Sequence, residues 1–205
     1  MSVNWSDYDL NDPLYGVGRN DDLDAESARI RHERLIESKE ARLETLRGFF
    51  AHNQLPSGTS DTDVRRVRAW LVENAERLPV SPRRSYAPLT PEWDSLARDL
   101  AFWLGEITIA RHPEYRWMLH TGDVAGHADY QSTVVAFAPD PHEGRAANPF
   151  TITRAAAWRA ANSDPAPPAS LATWMDSLGS LQVWMDFVGS GATAVTARDR
   201  VGSDG

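Results

Sequence analysis

The sequence predicts an α+β fold, helix-dominated, with a small antiparallel sheet packed on a central helix. N-terminal helices precede this unit and a Trp-rich C-terminal extension follows it. Three observations carry this reading. A wide apolar helical face runs through residues 91–111. Two short β-branched or alternating segments follow at 115–120 and 132–138. A second helix start, Asn148-Pro149, repeats the cap-then-proline grammar of Thr90-Pro91. At 205 residues, 41% hydrophobic and 24% charged, the chain suffices for one core with arms.

Residues 1–23 form an acidic arm. Residues 1–24 hold six acids (Asp7, Asp9, Asp12, Asp21, Asp22, Asp24) and one base, Arg19. The arm's scattered anchors include Trp5, Tyr8 and Leu10, which could lie along the body or become ordered on a partner. Residues 24–50 read as one long helix with Asp24 as N-cap. Ile36, Leu43, Leu46 and Phe50 form its stripe, with Leu35 and Phe49 beside it. Its charged first half, Glu26 to Arg34, is expected to project into solvent or meet another chain, which makes residues 24–50 a homo-oligomer surface. Residues 61–78 are a second helix, capped by Ser60 with Asp63 in the capping-box position. Val64, Val67, Leu71, Ala75 and Leu78 share its buried face and Trp70 sits at the edge.

A proline-punctuated connector leads to the central helix, 91–111, where Thr90 caps, Pro91 occupies the first turn and Pro113 stops the run. Trp93, Leu96, Leu100, Trp103, Leu104 and Ile107 give it an apolar face broad enough for a core helix. The strands at 115–120 and 132–138 are joined by a loop of eleven residues, and a helix spans 149–161. The domain therefore covers 24–161, and 162–169 is a Pro-rich linker. Residues 170–205 carry a ten-residue repeat with a frayed end: Trp174-Met175-Asp176-Ser177-Leu178-Gly179-Ser180 returns as Trp184-Met185-Asp186-Phe187-Val188-Gly189-Ser190. The period fits a helix broken at Gly179, whereas alternation at Leu181, Val183, Met185 and Phe187 fits a strand.

The composition excludes several functions. There is no cysteine, so thiol redox chemistry, disulfides and thiolate zinc sites are impossible. The net charge of −8, concentrated in the arm, disfavours phosphate-driven nucleic-acid binding. No apolar run reaches the roughly 20 residues of a membrane helix, and no signal peptide is visible, so a cytoplasmic protein with no membrane partner is expected. Lys39 is the only lysine among 21 basic residues, the bias of an actinobacterial or actinophage genome.

Four constellations could carry chemistry. His120, Asp123, His127 and Asp129 place two imidazoles and two carboxylates within ten residues. They could ligate a divalent metal for a hydrolase, or supply turns to a solvated loop. Asp99 and Glu106, seven apart on the central helix, could act as paired carboxylates or simply mark its polar side. Arginines at 29, 31, 34, 65, 66, 68, 83 and 84 could face an acidic partner. The alternative is solvated helix faces with glutamate neighbours, such as Arg29–Glu33 and Glu40 and Glu44 around Arg42. Gly189-Ser190-Gly191-Ala192-Thr193-Ala194 mimics a dinucleotide fingerprint, but only eleven residues follow it, too few for the strand and acid such a fold needs. No cofactor is implied.

The segments Leu96-Ala97-Arg98-Asp99-Leu100-Ala101-Phe102-Trp103-Leu104-Gly105-Glu106, Ala110-Arg111-His112-Pro113, Arg116-Trp117 and Asn148-Pro149-Phe150 carry a resemblance over about residues 93–159. They resemble small uncharacterised actinobacterial proteins of helix-strand-strand-helix order, some of which look like immunity or accessory proteins. The resemblance implies a structural frame and transfers no catalytic residue. The function expected is a non-catalytic cytosolic protein-interaction protein of immunity, adaptor or accessory type. Its partner-binding residues would be Trp174, Met175, Trp184, Met185, Phe187, Trp5 and Tyr8. The alternative is the metal-assisted hydrolase using the His120–Asp129 loop.

Overall fold

The computed structural model describes residues 3–10, 23–80, 87–121, 129–138 and 146–162. The element order is α1 (Ala25–His52), α2 (Asp61–Asn74), α3 (Pro91–Arg111), β1 (Tyr115–Leu119), β2 (Thr133–Phe137), β3 (Ala146–Ala147) and α4 (Pro149–Asn162). This is a helix-dominated α+β fold with a three-stranded antiparallel sheet in the order β1-β2-β3.

α3 is the hub. Its first turn is set by Thr90, whose hydroxyl accepts from the Trp93 amide, and by Pro91. Trp93, Leu96, Ala97, Leu100, Ala101, Phe102, Leu104 and Ile107 are all buried. They surround the helix, so α1, α4 and the sheet can each pack on a different side. α4 packs on α3, and the small residues Ala97, Ala101 and Ala157 are fully buried. The hydroxyl of Thr153 then donates to the Ala97 carbonyl at 2.6 Å. β2 sits in the middle of the sheet. Tyr115 pairs with Phe137 and Leu119 with Thr133 on one side, and Val135 pairs with Ala147 on the other. Being covered on both faces, β2 is an apolar run rather than an alternating one.

The sequence expectation fails at two places in the fold, each time because a distant partner decides. The first half of α1 does not project: Ala28 is 1% exposed and His32 Nδ1 lies 3.0 Å from the Thr133 hydroxyl, so this half lies on the sheet. Small and polar residues make that contact, and a search for large apolar residues passes over them. The α1 stripe of Leu35, Leu43, Leu46, Phe49 and Phe50 is spent on the chain's own core, which leaves α1 a mainly charged outer face.

α2 ends at Asn74 rather than 78. Ala75 turns extended (φ −58°, ψ 133°), the Leu78 amide donates to Pro88 O at 2.8 Å, and Arg77 bridges Leu89. Leu78, expected in the core, is 41% exposed. The third strand, β3, fits the small antiparallel sheet expected, although its two alanines carry no strand signal of their own and are ordered by β2.

Residues 3–10 of the arm pack on the body. Asn4 and Asn53 exchange two hydrogen bonds of 2.8 Å, from Asn4 N to Asn53 Oδ1 and from Asn53 Nδ2 to Asn4 O. Trp5 stacks near Phe49, Tyr8 and Trp93, with ring centroids 5.0–5.5 Å apart. Tyr8 is buried in the core. Of the two courses open to the arm's anchors, these two residues lie along the body and join the chain's own aromatic cluster.

Candidate functional site

Asp99 and Glu106, the two carboxylates that sequence reasoning offers on the central helix, are structural ties between α1 and α3. The two helices run antiparallel, so Lys39 meets Glu106 (2.7 Å) and Arg42 meets Asp99. Asp99 Oδ1 accepts from Arg42 Nε at 2.9 Å, while Oδ2 accepts from Arg42 Nη2 and from the Tyr8 hydroxyl, both at 2.6 Å. The Asp99 side chain is 2% exposed and that of Arg42 12%. Burial pushes the Asp99 carboxyl above its ordinary range, against the pull of Arg42 and the Tyr8 hydroxyl. Tyr8 is raised too, by burial first and then by the charge of Asp99. Arg42 thus turns inward, away from the Glu40 and Glu44 neighbours expected for it. Glu106 and Asp99 do share a side of α3, but each is bound to its own cation, and they form no carboxylate pair.

Glu106 also accepts from Trp117 Nε1 at 2.8 Å. The indole lies directly over Gly105, where a Cβ would overlap its six-membered ring. The Leu104-Gly105-Glu106 and Arg116-Trp117 segments are therefore two halves of one contact between α3 and β1. A third tie joins α3 to α4: Asp94 pairs with Arg98 and, at 2.6 Å, with Arg154. Burial pushes Asp94 up, but Arg154 and Arg98 outweigh it and hold the carboxyl below its ordinary range.

At the loop end of the β1–β2 hairpin the structure places two of the four candidate metal ligands. The His120 amide donates to Ser132 O and Gln131 N donates to His120 O, both at 2.8 Å. Asp129 Oδ1 accepts from Asn148 Nδ2 at 2.9 Å. Gln131 adopts φ 54° in this closure. Asp123 and His127 lie outside the described residues. Among the described residues no three His, Asp or Glu side chains converge as a metal site. The tail residues Trp174, Met175, Trp184, Met185 and Phe187, with the linker and repeat, also lie outside the described residues, as do Arg83 and Arg84.

The surface with unspent chemistry is on α2. Val64, Val67 and Leu71 face inward, while Arg65, Arg66, Arg68, Ala69 and Val72 are exposed. Positions 65, 69 and 72 share one outer face by helical spacing. Two acids of the same helix are committed elsewhere. Asp61 pairs with Arg111 at 2.9 Å, and Asp63 closes the capping box with Ser60. Arg65 lies 4.0 Å from Asp61, a weak pairing for an exposed side chain. Val72 is 55% exposed.

Beside this face, an apolar cleft of about 30 Å³ opens between α2, α3 and α4. It is lined by Val67, Leu71, Leu100, Trp103, Leu104 and Ala156, and Arg68 contributes to its α2 wall. The Trp103 indole N–H is buried without an acceptor among the described residues. Sequence reasoning found the arginines but missed Val72 and the cleft. The available signal was that Val72 falls off the 64–67–71 stripe.

Among the described residues no helix is long and apolar enough to cross a membrane. No protein-family model, curated protein or solved structure matches the chain.

Proposed function

We propose that the protein is a non-catalytic, cytoplasmic protein-interaction protein, of immunity, adaptor or accessory-subunit type, and that it binds another protein through the outer face of α2. One observation carries the reading. On a chain of net charge −8, exposed Arg65, Arg68 and Val72 lie on adjoining positions of the α2 surface, and Arg68 is also part of the wall of an apolar cleft. Apolar area supplies affinity and the guanidinium groups select an acidic partner surface. The ties at Asp99, Glu106 and Asp94 support the same reading, because they hold α1, α3 and α4 as a rigid platform for that face.

The test compares wild type with Arg65→Glu/Arg68→Glu/Val72→Asp. All three positions are exposed, so folding and thermal midpoint should stay unchanged. Capture from host cells should yield one stoichiometric protein with wild type and lose it with the variant, and the captured complex should weaken as salt rises. Equal capture by both proteins would refute the assignment to α2.

A further inference from the structure

We propose that the α2–α4 cleft, with Arg68 on its wall, is the docking site for the chain's own Trp-Met-Asp repeat, so that the tail competes in cis with a protein partner. This rests on the reading of the α2 face as a protein-binding surface and adds its occupant.

Position supports the assignment. α4 forms one wall of the cleft through Thr153 and Ala156, and it ends at Asn162, from which 43 further residues follow. Ser163 to Ala169 can span up to roughly 23 Å when extended, against the roughly 9 Å of helix from Ala156 to Asn162. The chain can therefore double back to the cleft before the first tryptophan.

Chemistry supports it as well. The cleft takes about 30 Å³, the scale of a side-chain tip rather than a whole indole. Methionine is the adaptable residue for such an irregular apolar gap, and the neighbouring tryptophan can cover the exposed apolar edge at Val72. Residues 170–190 contain two acids, Asp176 and Asp186, and no base, a charge complementary to Arg68 on the cleft wall and to the neighbouring exposed Arg65.

The repeat then has a physical meaning. Two equivalent motifs ten residues apart face one cleft, so either can dock. The tether keeps the local concentration of both high, and losing one motif halves the ways of docking without abolishing it.

The experiment uses the full chain in three variants: Trp174→Ala/Met175→Ala, Trp184→Ala/Met185→Ala, and all four substitutions together. The readouts are the Trp103 indole N–H resonance and the amide exchange of α2. The fourfold variant should shift the indole signal and speed α2 exchange about tenfold or more. Each double variant should change it only about twofold. A peptide of residues 170–190 should restore the wild-type signal in the fourfold variant, and Arg68→Glu should block that rescue.

Unchanged indole and exchange signals in the fourfold variant would overturn the proposal. So would equal peptide binding by wild type and the fourfold variant accompanied by a dimeric native mass, since the occupant would then be a second copy. Either result, with partner capture still dependent on Arg65, Arg68 and Val72, would leave the α2 function standing without the tail. Loss of that dependence would remove the function itself.

Discussion

Replacing Asp99 by Ala should be among the most damaging single changes in this protein. The carboxylate is buried and accepts three hydrogen bonds of 2.6–2.9 Å, two from Arg42 and one from Tyr8. Without it the Arg42 guanidinium stays buried with only the Asp9 carbonyl at 3.0 Å and the Ser95 hydroxyl at 3.5 Å. Removing one member of a buried ion pair costs about 3–5 kcal/mol. For a chain of this length that corresponds to a fall in thermal midpoint of roughly 6–20 °C.

The assay is urea unfolding at neutral pH, comparing midpoints at equal slope. Asp99→Leu combined with Arg42→Met removes both charges. The double variant should recover most of the loss, because a well-packed apolar pair often replaces a buried ion pair without penalty. A loss below about 1 kcal/mol, the scale of an exposed pair, would refute the reasoning. So would a double variant whose loss equals the sum of the two singles.

Further outcomes follow from single contacts. Gly105→Ala should cost about 1–3 kcal/mol by forcing Trp117 off α3, outweighing the helix-propensity gain, and should shift tryptophan emission. Gly48, helical with open space at its Cβ position, should gain about 0.5–1 kcal/mol on substitution by Ala, read in the same urea titration. Gln54 ends α1 at φ 56°, with Leu55 N bonded to Phe50 O, so Gln54→Gly should raise stability by about 1 kcal/mol. His32 is pushed below its ordinary value of 6.5 by burial, with Glu33 opposing. The unfolded chain therefore takes a proton that the folded chain refuses. The stability linked to His32 is complete above about pH 6.5 and is lost as pH falls toward its lowered folded value. In His32→Gln that loss should disappear, measured as unfolding midpoints between pH 7.5 and 5.

What the sequence showed depended on how local its determinants were. Both ends of α3 were legible, because Thr90-Pro91 and Pro113 act within a few residues of themselves. The capping box of Ser60 and Asp63 was legible for the same reason. The end of α2 was not, because Ala75 leaves the helix for pairings with Pro88 and Leu89 across a loop. Nor was the packing of α1 on the sheet, since Ala28 and His32 act there by being small and by reaching Thr133, 101 residues away.

The candidate site divided in the same way. The α2 arginines stood out as a cluster. Which charges were already spent could not be read, because Arg42 and Asp99 are 57 residues apart and Lys39 and Glu106 are 67 apart. Only after those ties were placed did Arg65, Arg66 and Arg68 remain as the exposed basic face.

The central claim is that α2 is a protein-binding face. Its most direct test is the native mass of material captured by wild type and by Arg65→Glu/Arg68→Glu/Val72→Asp, side by side from the same host extract. A single protein at fixed stoichiometry on wild type, absent from an equally stable variant, is the predicted result. An identical captured mass from both would contradict the claim.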